Sequence, residues 1–395
     1  MELRAGSERY IEREIVPAIR RQVGKYSVIM ISGPRQSGKT TLVREQFPDL
    51  PYFSLEDPDV RQQVNGDPRA LFKTHGHRLI LDEVQRVPEL FSYIQGIVDS
   101  DRDSLFILSG SQNYLMMEKV SQTLAGRVAL FYLLPLSYRE IAPVVDNMSI
   151  DKYLWQGGYP RIYHRGVAVN DFYQSYLETY VQRDVRLIQN IGNLDTFQNF
   201  LGICAAFIGQ VLNVNAIAKA AGISRGTAVN WLSILEASFI IRRVSPYFRN
   251  FKKRVVKSPK LYFTDTGLAA ALLRLRNPDA LKGYYQRGFL FENMVINEVT
   301  KGYYNGGSRP PFYHWRDSNQ HEVDLLLDHG TALQPVEIKV GSTYIPDFFK
   351  HLTWFAAASS VPVEEPTVIY GGEERWSSEY GRLLPWREAH ELVRL

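Results

Sequence analysis

Apolar and polar positions in the first third of the chain follow two periods in turn. Short apolar runs typical of buried strands cover Val28–Ile31, His77–Val84 and Leu105–Leu108. Between them the apolar positions take helical spacing, beginning with Leu42 and Val43 directly after the first run. Alternating strands and helices predict an α/β domain, in which a parallel sheet carries helices on both faces.

The middle of the chain changes to helical spacing alone. The pattern is helical from Asp171 to about Phe207, and VNAIAKAAGISRGTAVNWLSILEASFIIRRV then predicts a helix–turn–helix. Gly222 interrupts the first helix, and Ser224 is placed to cap the second. The predicted buried positions are Val214, Ile217, Ala218 and Ala221 in the first helix, and Ala228, Leu232, Leu235 and Phe239 in the second.

The last third returns to mixed spacing. The segment RGFLFENMVINEV predicts a helix that holds Glu292 in apolar surroundings, and two strands follow, at Pro310–Arg316 and His321–Leu327. In the second strand, period two places Glu322, Asp324 and Leu326 on one face and Val323, Leu325 and Leu327 on the other.

The hexapeptide VEIKVG continues this part of the chain as a further strand. Val336, Ile338 and Val340 form its predicted buried face, which leaves Glu337 and Lys339 side by side on the other face. An amphipathic helix is predicted after it, over Pro346–Ala357. Opposite charges on one strand face can be an ordinary exposed ion pair, so their role depends on the rest of the chain.

Composition sets limits on the class of protein without selecting a function. The chain has 395 residues, 45% hydrophobic and 22% charged, and a net charge of only +4. Cys204 is the only cysteine, which excludes an internal disulfide and argues against a thiolate zinc site. The charged N-terminus lacks the apolar core of a signal peptide, and the uncharged stretch from Thr196 to Ala218 is broken by amides and glycines. We therefore expect a cytoplasmic protein without a membrane partner.

The segment GPRQSGKT, Gly33–Thr40, matches the P-loop pattern G-x-x-x-x-G-K-T between a predicted strand and a predicted helix. Its glycines let backbone N–H groups surround the phosphates of ATP at a helix N-terminus. In this pattern Lys39 reaches the β- and γ-phosphates, and the Thr40 hydroxyl binds Mg²⁺. The predicted ATP-binding residues of this segment are Gly33, Pro34, Arg35, Gln36, Ser37, Gly38, Lys39, Thr40 and Thr41.

Two further strand ends support the same site. The second apolar run ends in Asp82, a candidate for the Mg²⁺ shell, and Glu83, a candidate to polarise the attacking water. The third run leads into SGSQ, where Ser109 or Ser111 is a candidate polar sensor of the γ-phosphate. The alternative for either serine is an ordinary turn residue.

A basic stretch follows the helix–turn–helix, with no acidic residue between Glu236 and Asp265. Together with exposed positions of the second helix, it is typical of a winged helix whose basic wing contacts DNA phosphates. The candidate DNA-binding residues are Arg225, Thr227, Asn230, Arg249, Lys252, Lys253, Arg254 and Lys257; Arg242, Arg243 and Lys260 belong to the same stretch. The alternatives are a solvated charged face, or a winged helix that serves as a lid or subunit contact.

The motifs GPRQSGKTTL, LILDEVQRVP, FILSGSQNYLM and LAGRVALFYLLPLS resemble, over nearly the whole chain, a prokaryotic family of AAA+-type ATPases with a C-terminal domain of long unassigned function. The resemblance implies ATP hydrolysis in a homo-oligomer, expected as a hexameric ring, in which a basic residue of a neighbouring subunit completes the site. Arg127 in LAGR is the candidate for that residue, and a structural arginine is the alternative. The motif GGYP also resembles an element that contacts the nucleotide in related signalling ATPases, which implies this role for Gly158 and Pro160.

The order of elements after residue 263 resembles the restriction-endonuclease-like, or PD-(D/E)xK, fold, with Val323 in place of the motif's proline. The resemblance implies that Asp324 and Glu337 bind Mg²⁺ or Mn²⁺, that Lys339 orients the attacking water or stabilises the phosphorane, and that Glu292 completes the metal shell. Two alternatives stay open, an exposed ion pair and a site that binds DNA without cutting it.

These observations predict four regions. They are an ATPase domain over residues 1–145, a helical lid over 146–207, a winged helix over 208–262 and a nuclease-like α/β domain over 263–395. The first functional hypothesis is a DNA-processing ATPase, with metal-dependent nuclease activity as an open addition. The second is a nucleotide-gated switch in signalling or defence, whose C-terminal domain is a non-catalytic interaction module.

Overall fold

A computed structural model describes residues 10–111, 122–180, 194–247 and 258–395. Its N-terminal part contains a five-stranded parallel sheet with the strand order β2-β3-β4-β1-β5. The strands are β1 (Val28–Gly33), β2 (Tyr52–Ser54), β3 (Arg78–Asp82), β4 (Leu105–Ser111) and β5 (Val128–Tyr132). The helices of this part are α1 (Val16–Arg20), α2 (Lys39–Gln46), α3 (Pro58–Gly66), α4 (Pro68–His75) and α5 (Leu90–Ser100).

The sheet is covered on both faces, as the alternating pattern predicted. Val28 and Met30 of β1 pack in one buried cluster with side chains of α4 and α5. Ile29 and Ile31 lie in a second cluster with α1 and α2. Because side chains of a strand alternate between faces, these two clusters are the two layers on either side of one sheet.

The middle part is helical and then forms one short antiparallel pair. Its helices are α6 (Tyr138–Ile141), α7 (Ile150–Gln156), α8 (Pro160–His164), α9 (Val169–Tyr180), α10 (Leu194–Ala206), α11 (Val214–Ala221) and α12 (Arg225–Ala237), followed by β6 (Ile241–Val244) and β7 (Lys260–Phe263). The predicted caps are in place: Gly222 adopts a left-handed conformation after α11, and the Ser224 hydroxyl accepts the Thr227 N–H. Part of the predicted helical stretch, residues 181–193, lies outside the described residues.

The C-terminal part is a mixed six-stranded sheet in the order β12-β13-β11-β10-β9-β8. Its strands are β8 (Phe312–Arg316), β9 (Glu322–Asp328), β10 (Leu333–Lys339), β11 (Thr367–Tyr370), β12 (Trp376–Ser378) and β13 (Gly381–Pro385). Its helices are α13 (Thr266–Leu272), the long α14 (Arg287–Asn305) and α15 (Lys350–Ala358), with 3-10 turns at Pro278–Leu281, Pro346–Phe349 and Trp386–Leu392.

The prediction of simple alternation along β9 is wrong at one point. The pairing with β8 shifts so that Tyr313 faces Leu326 but Trp315 faces Val323, which places an extra residue on β9. Val323 therefore packs in a different cluster from Leu325. A bulge of this kind redirects a side chain without ending the strand, and here it lies at Asp324.

The middle and C-terminal parts share one hydrophobic core. It runs from Leu136 to Leu392 and includes side chains of α7, α10, α12 and β10 as well as α14. Helix α14 is buried on nearly all sides, which is the expected position for a helix at the centre of a core. The proposed domain boundaries stay a prediction. No helix in the described part of the chain is long and apolar enough to cross a membrane.

Candidate nucleotide site and C-terminal carboxylate cluster

The P-loop connects β1 to α2 in a conformation that requires glycine at Gly33 and favours it at Gly38. A Cβ atom at Gly33 would lie 2.2 Å from the Leu133 carbonyl oxygen, so no side chain fits there. Gln36 and Gly38 have left-handed φ angles of 59° and 95°. The loop thus delivers its backbone N–H groups to the N-terminus of α2, where an anion is favoured.

Polar groups of the loop point to a phosphate ligand. The Lys39 ammonium donates to the carbonyl oxygens of Gly33 and Pro34 at 3.0 and 2.8 Å. The Ser37 side chain is buried, and within the described structure its hydroxyl oxygen has no hydrogen-bond partner. A buried hydroxyl and a buried ammonium at a helix N-terminus fit the phosphates of ATP. Arg35 is half-buried, while Gln36 and Thr41 are exposed at the rim.

Asp82 is the polar centre beside this loop. One carboxylate oxygen accepts the Thr40 hydroxyl at 2.6 Å and the Tyr52 hydroxyl at 2.8 Å. The other oxygen accepts the Ser109 hydroxyl and the Glu83 backbone N–H. Strands β1, β3 and β4 therefore bring the predicted Thr40, Asp82 and Ser109 into one contact at their carboxyl ends. A carboxylate and a hydroxyl are oxygen ligands of the kind that Mg²⁺ selects, so Thr40 and Asp82 would be the residues to hold it.

Glu83 follows in a left-handed conformation with a φ angle of 54°. Its carboxylate accepts the Gln85 amide, which also donates to the Ser111 hydroxyl at 3.0 Å. Both candidate serines thus lie near the acidic pair, Ser109 on Asp82 and Ser111 on the Glu83 side. Glutamate is an uncommon residue in this backbone region, so the surrounding structure holds the carboxylate in a defined direction.

Arg13 is a positioning residue that the sequence did not reveal. Its guanidinium donates to the Ser37 carbonyl at 2.8 Å, to the Leu134 carbonyl at 2.7 Å and to the Glu140 carboxylate at 2.9 Å. These three contacts tie the P-loop to the segment that follows β5. The fork geometry of arginine suits this role, because it serves several oxygens at once.

The GGYP segment lies between the P-loop and the C-terminal part. A Cβ atom at Gly38 would be 3.8 Å from the Pro160 ring, so the predicted nucleotide-contact element is next to the phosphate loop. The Gly158 N–H donates to the Asp265 carboxylate at 2.7 Å, and the Leu136 N–H donates to the Gly158 carbonyl at 2.7 Å.

Asp265 is a buried acceptor of several hydrogen bonds that no sequence motif marked. Its carboxylate also accepts the Tyr173 hydroxyl at 2.7 Å and the Leu268 N–H at 2.9 Å. Burial raises the pKa of Asp265 despite these donors. The only sequence signal was its place before α13, where an aspartate caps a helix.

The buried ion pair of Glu298 and Lys301 links α14 to the stretch of chain that follows β5. The Glu298 carboxylate accepts the Tyr138 N–H and the Tyr153 hydroxyl, both at 2.7 Å, and the Lys301 ammonium at 2.8 Å. Lys301 also donates to the Leu136 carbonyl at 2.9 Å. The stretch after β5 is therefore held from the C-terminal part by an ion pair, and from the P-loop by Arg13.

Arg127, the residue immediately before β5, is more exposed than the buried residues described above. Its guanidinium donates to both carboxylate oxygens of Asp99 on α5, at 2.6 and 3.0 Å. The two side chains are 36% and 48% exposed. The geometry fits both interpretations of this residue, since an exposed pair within the chain can also open toward a neighbour.

The DNA-binding candidates divide into three groups. Arg225 and Asn230 are exposed on α12, while Thr227 is half-buried and bonds the Ser224 hydroxyl. Arg249, Lys252, Lys253, Arg254 and Lys257 lie outside the described residues. The other three basic residues of the stretch have partners within the chain: Arg242 with Tyr304, Arg243 with Glu236, and Lys260 with Glu292.

Lys260 corrects the interpretation of this stretch as a uniformly exposed basic surface. Its side chain is only 2% exposed, and its ammonium lies 2.8 Å from Glu292, in contact with Glu322 and 3.6 Å from Asp324. Burial works to lower the pKa of Lys260, but the surrounding acidic groups outweigh it and raise the pKa well above its usual range. Lys260 is thus a charged residue inside the C-terminal part.

The predicted residues of VEIKVG do come together. Val336 and Ile338 are buried with Val340 packed beside them, and the Lys339 ammonium lies 2.5 Å from the Glu337 carboxylate. The Glu337 side chain is 5% exposed, which excludes an ordinary exposed pair. Burial first, and then the Asp324 charge, raise the pKa of Glu337 above its ordinary range. One oxygen of Asp324 accepts the Ile338 N–H at 2.9 Å.

The predicted three-carboxylate metal shell is not assembled. Glu292 does not face a free metal position, because its carboxylate accepts the Lys260 ammonium and the Tyr262 hydroxyl, the latter at 2.5 Å. Burial raises the pKa of Glu292 to about 7, against the effect of Lys260. In the described ranges, no group of three or more histidine, cysteine, aspartate or glutamate side chains is arranged to hold a metal ion. The Lys260 ammonium thus lies among these carboxylates, and their role as ligands of the metal that the nuclease resemblance implies stays a prediction.

Comparison with known families matches three consecutive segments. Residues 25–142 match an AAA domain, residues 147–279 a domain of unknown function (DUF8612), and residues 287–389 another domain of unknown function (DUF4143). The AAA match covers the P-loop, Asp82, Ser109 and Arg127.

Whole-chain relatives extend over all three segments. Uncharacterized proteins of Mycobacterium tuberculosis and Mycobacterium bovis are each 27% identical over 372 residues, which are 92% of this chain and 81% of the relative. Among solved structures, a Walker-type ATPase of Pyrococcus abyssi is similar with a TM-score of 0.48 and 14% identity, over 69% of this chain and 98% of that one. The chain is thus an α/β protein in which an AAA-type P-loop ATPase domain precedes two domains of unknown function.

Proposed function

We propose that this chain hydrolyses Mg²⁺-bound ATP and uses the nucleotide cycle to act on DNA. The single observation that carries the proposal is the contact of Thr40, Asp82 and Ser109 at the carboxyl ends of three parallel strands, directly beside the P-loop. An AAA-type domain supplies the setting for that contact, and the middle helices supply a candidate DNA surface.

The proposed chemistry assigns separate tasks to neighbouring side chains. A Mg²⁺ ion held here would supply positive charge to neutralise the phosphates. Lys39 stabilises the transferring phosphate, Thr40 and Asp82 hold the metal shell, and Glu83 orients the attacking water. Ser109 holds Asp82 in place at the strand end.

Phosphate release from ATP tests the first half of the proposal. Wild type hydrolyses ATP in Mg²⁺ and stops in EDTA, whereas Glu83→Gln keeps nucleotide binding and loses hydrolysis by roughly 10²–10⁴-fold. Glu89→Gln is the matched control, because Glu89 immediately precedes α5 outside the contact described above. Equal hydrolysis by wild type and Glu83→Gln would remove the assigned role of Glu83.

DNA is the proposed partner because α12 exposes Arg225 and Asn230 near the N-terminal end of the second helix of a helix–turn–helix. Fluorescence anisotropy against duplex and branched DNA at several salt concentrations measures this binding. We expect Arg225→Ala to reduce the slope of log K against log salt by about one unit. Arg69→Ala, on α4 of the ATPase domain, is the control. Absence of binding even at low salt would reject DNA as the partner.

A homo-oligomer with Arg127 acting across subunits is the proposed assembly, and it follows from the expected ring of AAA+ relatives. Exposure of Arg127 supports it. Native mass spectrometry with ATP measures the assembly, and mixing Arg127→Ala with Glu83→Gln tests action in trans. Recovery of hydrolysis in the mixture supports the proposal, while Asp99→Ala controls for loss of the pair within the chain.

One observation favours a nucleotide-gated switch as a second candidate. Pro160 lies at the P-loop while its neighbour Gly158 is bonded to Asp265 in the C-terminal part. A change at the phosphates can thus reach the shared core directly. If DNA binds weakly and leaves ATP hydrolysis unchanged, the switch is the better account. If DNA stimulates ATP hydrolysis, the DNA-processing proposal is the better account.

The nuclease prediction is tested separately. Branched and linear DNA are incubated with Mg²⁺ or Mn²⁺ and with wild type, Asp324→Ala or Lys39→Ala. Cleavage by wild type that Asp324→Ala abolishes would establish a nuclease. Because the Lys260 ammonium lies among the carboxylates that would bind the metal, we expect the DNA to stay intact.

A further inference from the structure

Lys260 stands where the carboxylates of three different elements converge. It comes from β7, and it meets Glu292 from α14 and both Glu322 and Asp324 from β9. An ammonium group has three N–H donors and no acceptor, so carboxylate oxygens on several sides are its natural surroundings. These are also the oxygens that a hard divalent cation selects.

The backbone around Lys260 fixes this position. The His314 backbone of β8 donates to the Ser245 carbonyl at 3.0 Å and accepts the Tyr247 N–H at 2.8 Å. The His314 ring nitrogen lies 3.1 Å from the Ser258 carbonyl, two residues before Lys260. The β6–β7 pair is therefore joined to the edge of the C-terminal sheet on both sides of the residues that the structure does not describe.

Two further cations of the protein pair with carboxylates of this cluster. Arg316 lies 3.4 Å from Glu322, and Lys339 pairs with Glu337. Four carboxylates thus face three cations of the protein itself. One oxygen of Glu337 is buried and, among the described residues, has no hydrogen-bond partner, so it remains available to a cation once Lys260 is removed.

We propose that the Lys260 ammonium occupies the cation position of this carboxylate cluster, so that the cluster is complete without a divalent metal. The proposal concerns the C-terminal part alone and does not depend on ATP hydrolysis. It departs from the nuclease-like prediction in one defined way: the carboxylates are present, but the chain fills their centre. Removal of the lysine should therefore create a metal site.

Thermal unfolding of the nucleotide-free full chain, in EDTA and in excess Mn²⁺, tests this. We expect wild type to unfold at the same temperature in both. Lys260→Met should unfold at a lower temperature in EDTA, because Glu292 loses its buried partner. Saturating Mn²⁺ should then raise its unfolding temperature by about 5 °C. Electron paramagnetic resonance of bound Mn²⁺ provides a second readout, and Lys260→Met/Asp324→Asn should lose the signal.

Lys301→Met is the matched control. Lys301 is equally buried and paired with Glu298 on the same helix α14, but that pair has no second carboxylate within salt-bridge distance among the described residues. This variant should be destabilised without rescue by Mn²⁺. If Lys260→Met does not fold, Lys260→Met/Glu292→Gln removes the unpaired charge and still offers Glu322, Asp324 and Glu337 to the metal.

Two results would overturn the proposal. The first is Mn²⁺ binding by wild type that disappears in Asp324→Asn or Glu337→Gln, which would mean that Lys260 leaves the metal position open. The second is failure of both lysine variants to bind Mn²⁺, which would mean that the carboxylates never form a cation site.

Discussion

The molecule contains two acidic centres that differ in their neighbours. Asp82 is surrounded by hydroxyl groups and a backbone N–H, and the nearby Lys39 rests on carbonyl oxygens of the P-loop. Asp324 belongs to a cluster that already contains Lys260 and Lys339. Hydroxyl groups stabilise a carboxylate without neutralising it, whereas an ammonium does both. The first centre can therefore still bind a metal ion beside phosphates, while in the second, as we propose, the Lys260 ammonium already takes the cation position.

The largest expected effect separates these centres by activity. Lys39→Ala should lower ATP hydrolysis by roughly 10²–10³-fold, because it removes a charged donor to the transferring phosphate. Asp324→Ala should leave hydrolysis close to wild type, measured as phosphate release under saturating ATP. A similar loss in both variants would contradict the division into two independent centres, and circular dichroism of the nucleotide-free proteins controls for folding.

The two centres also differ in how far the sequence could predict them. The P-loop residues are consecutive, and Asp82 stands at the end of a strand whose apolar run is plain, so local pattern was sufficient. The residue nearest in sequence among the carboxylates that contact Lys260 is Glu292, 32 positions away. The residues that adjoin Lys260 in sequence suggested an exposed basic stretch instead. Charge alone does not tell a buried lysine from a surface one, since tertiary contacts decide its burial.

Other differences have the same physical origin. The bulge at Asp324 breaks the period of two, and no glycine marks it in the sequence. Arg13 and Asp265 act through contacts more than ninety residues away along the chain, to Leu134, Glu140 and Gly158. Strand and helix order were predictable because each is a local pattern, whereas the links between the parts depend on the finished core.

Substitution of Asp265 tests how much the contact between the GGYP segment and the C-terminal part stabilises the fold. Asp265→Ala removes the carboxylate that accepts the N–H groups of Gly158 and Leu268, so the free energy of unfolding should fall by about 3–4 kcal/mol. Chemical denaturation measures this. Asp279→Ala, which removes a carboxylate whose side chain is 80% exposed, is the control and should change it far less. If both substitutions have equal effects, Asp265 does not join the parts.

His314 gives the C-terminal part a dependence on pH. Burial lowers its pKa to about 4, and the Lys260 charge acts in the same direction. Because the unfolded chain binds the proton from about pH 6.5 downward, unfolding takes up a proton and stability falls as the pH drops from about 6.5 to 4. The full effect is about 3 kcal/mol. His314→Gln keeps a donor for Ser258 and should remove this part of the pH slope in denaturation midpoints. An unchanged slope would mean that His314 is not the group responsible.

The smallest expected effect concerns Arg127 at the edge of the ATPase domain. Both side chains of its pair with Asp99 are exposed, so Arg127→Ala should lower the free energy of unfolding only slightly. Asp99→Ala should do the same, and the double variant should show little coupling between the two side chains. Thermal denaturation of all four proteins measures it. A loss several times larger would mean that Arg127 has a structural role in joining β5 to α5. The cation that completes the ATP site in the proposed oligomer would then have to be another residue.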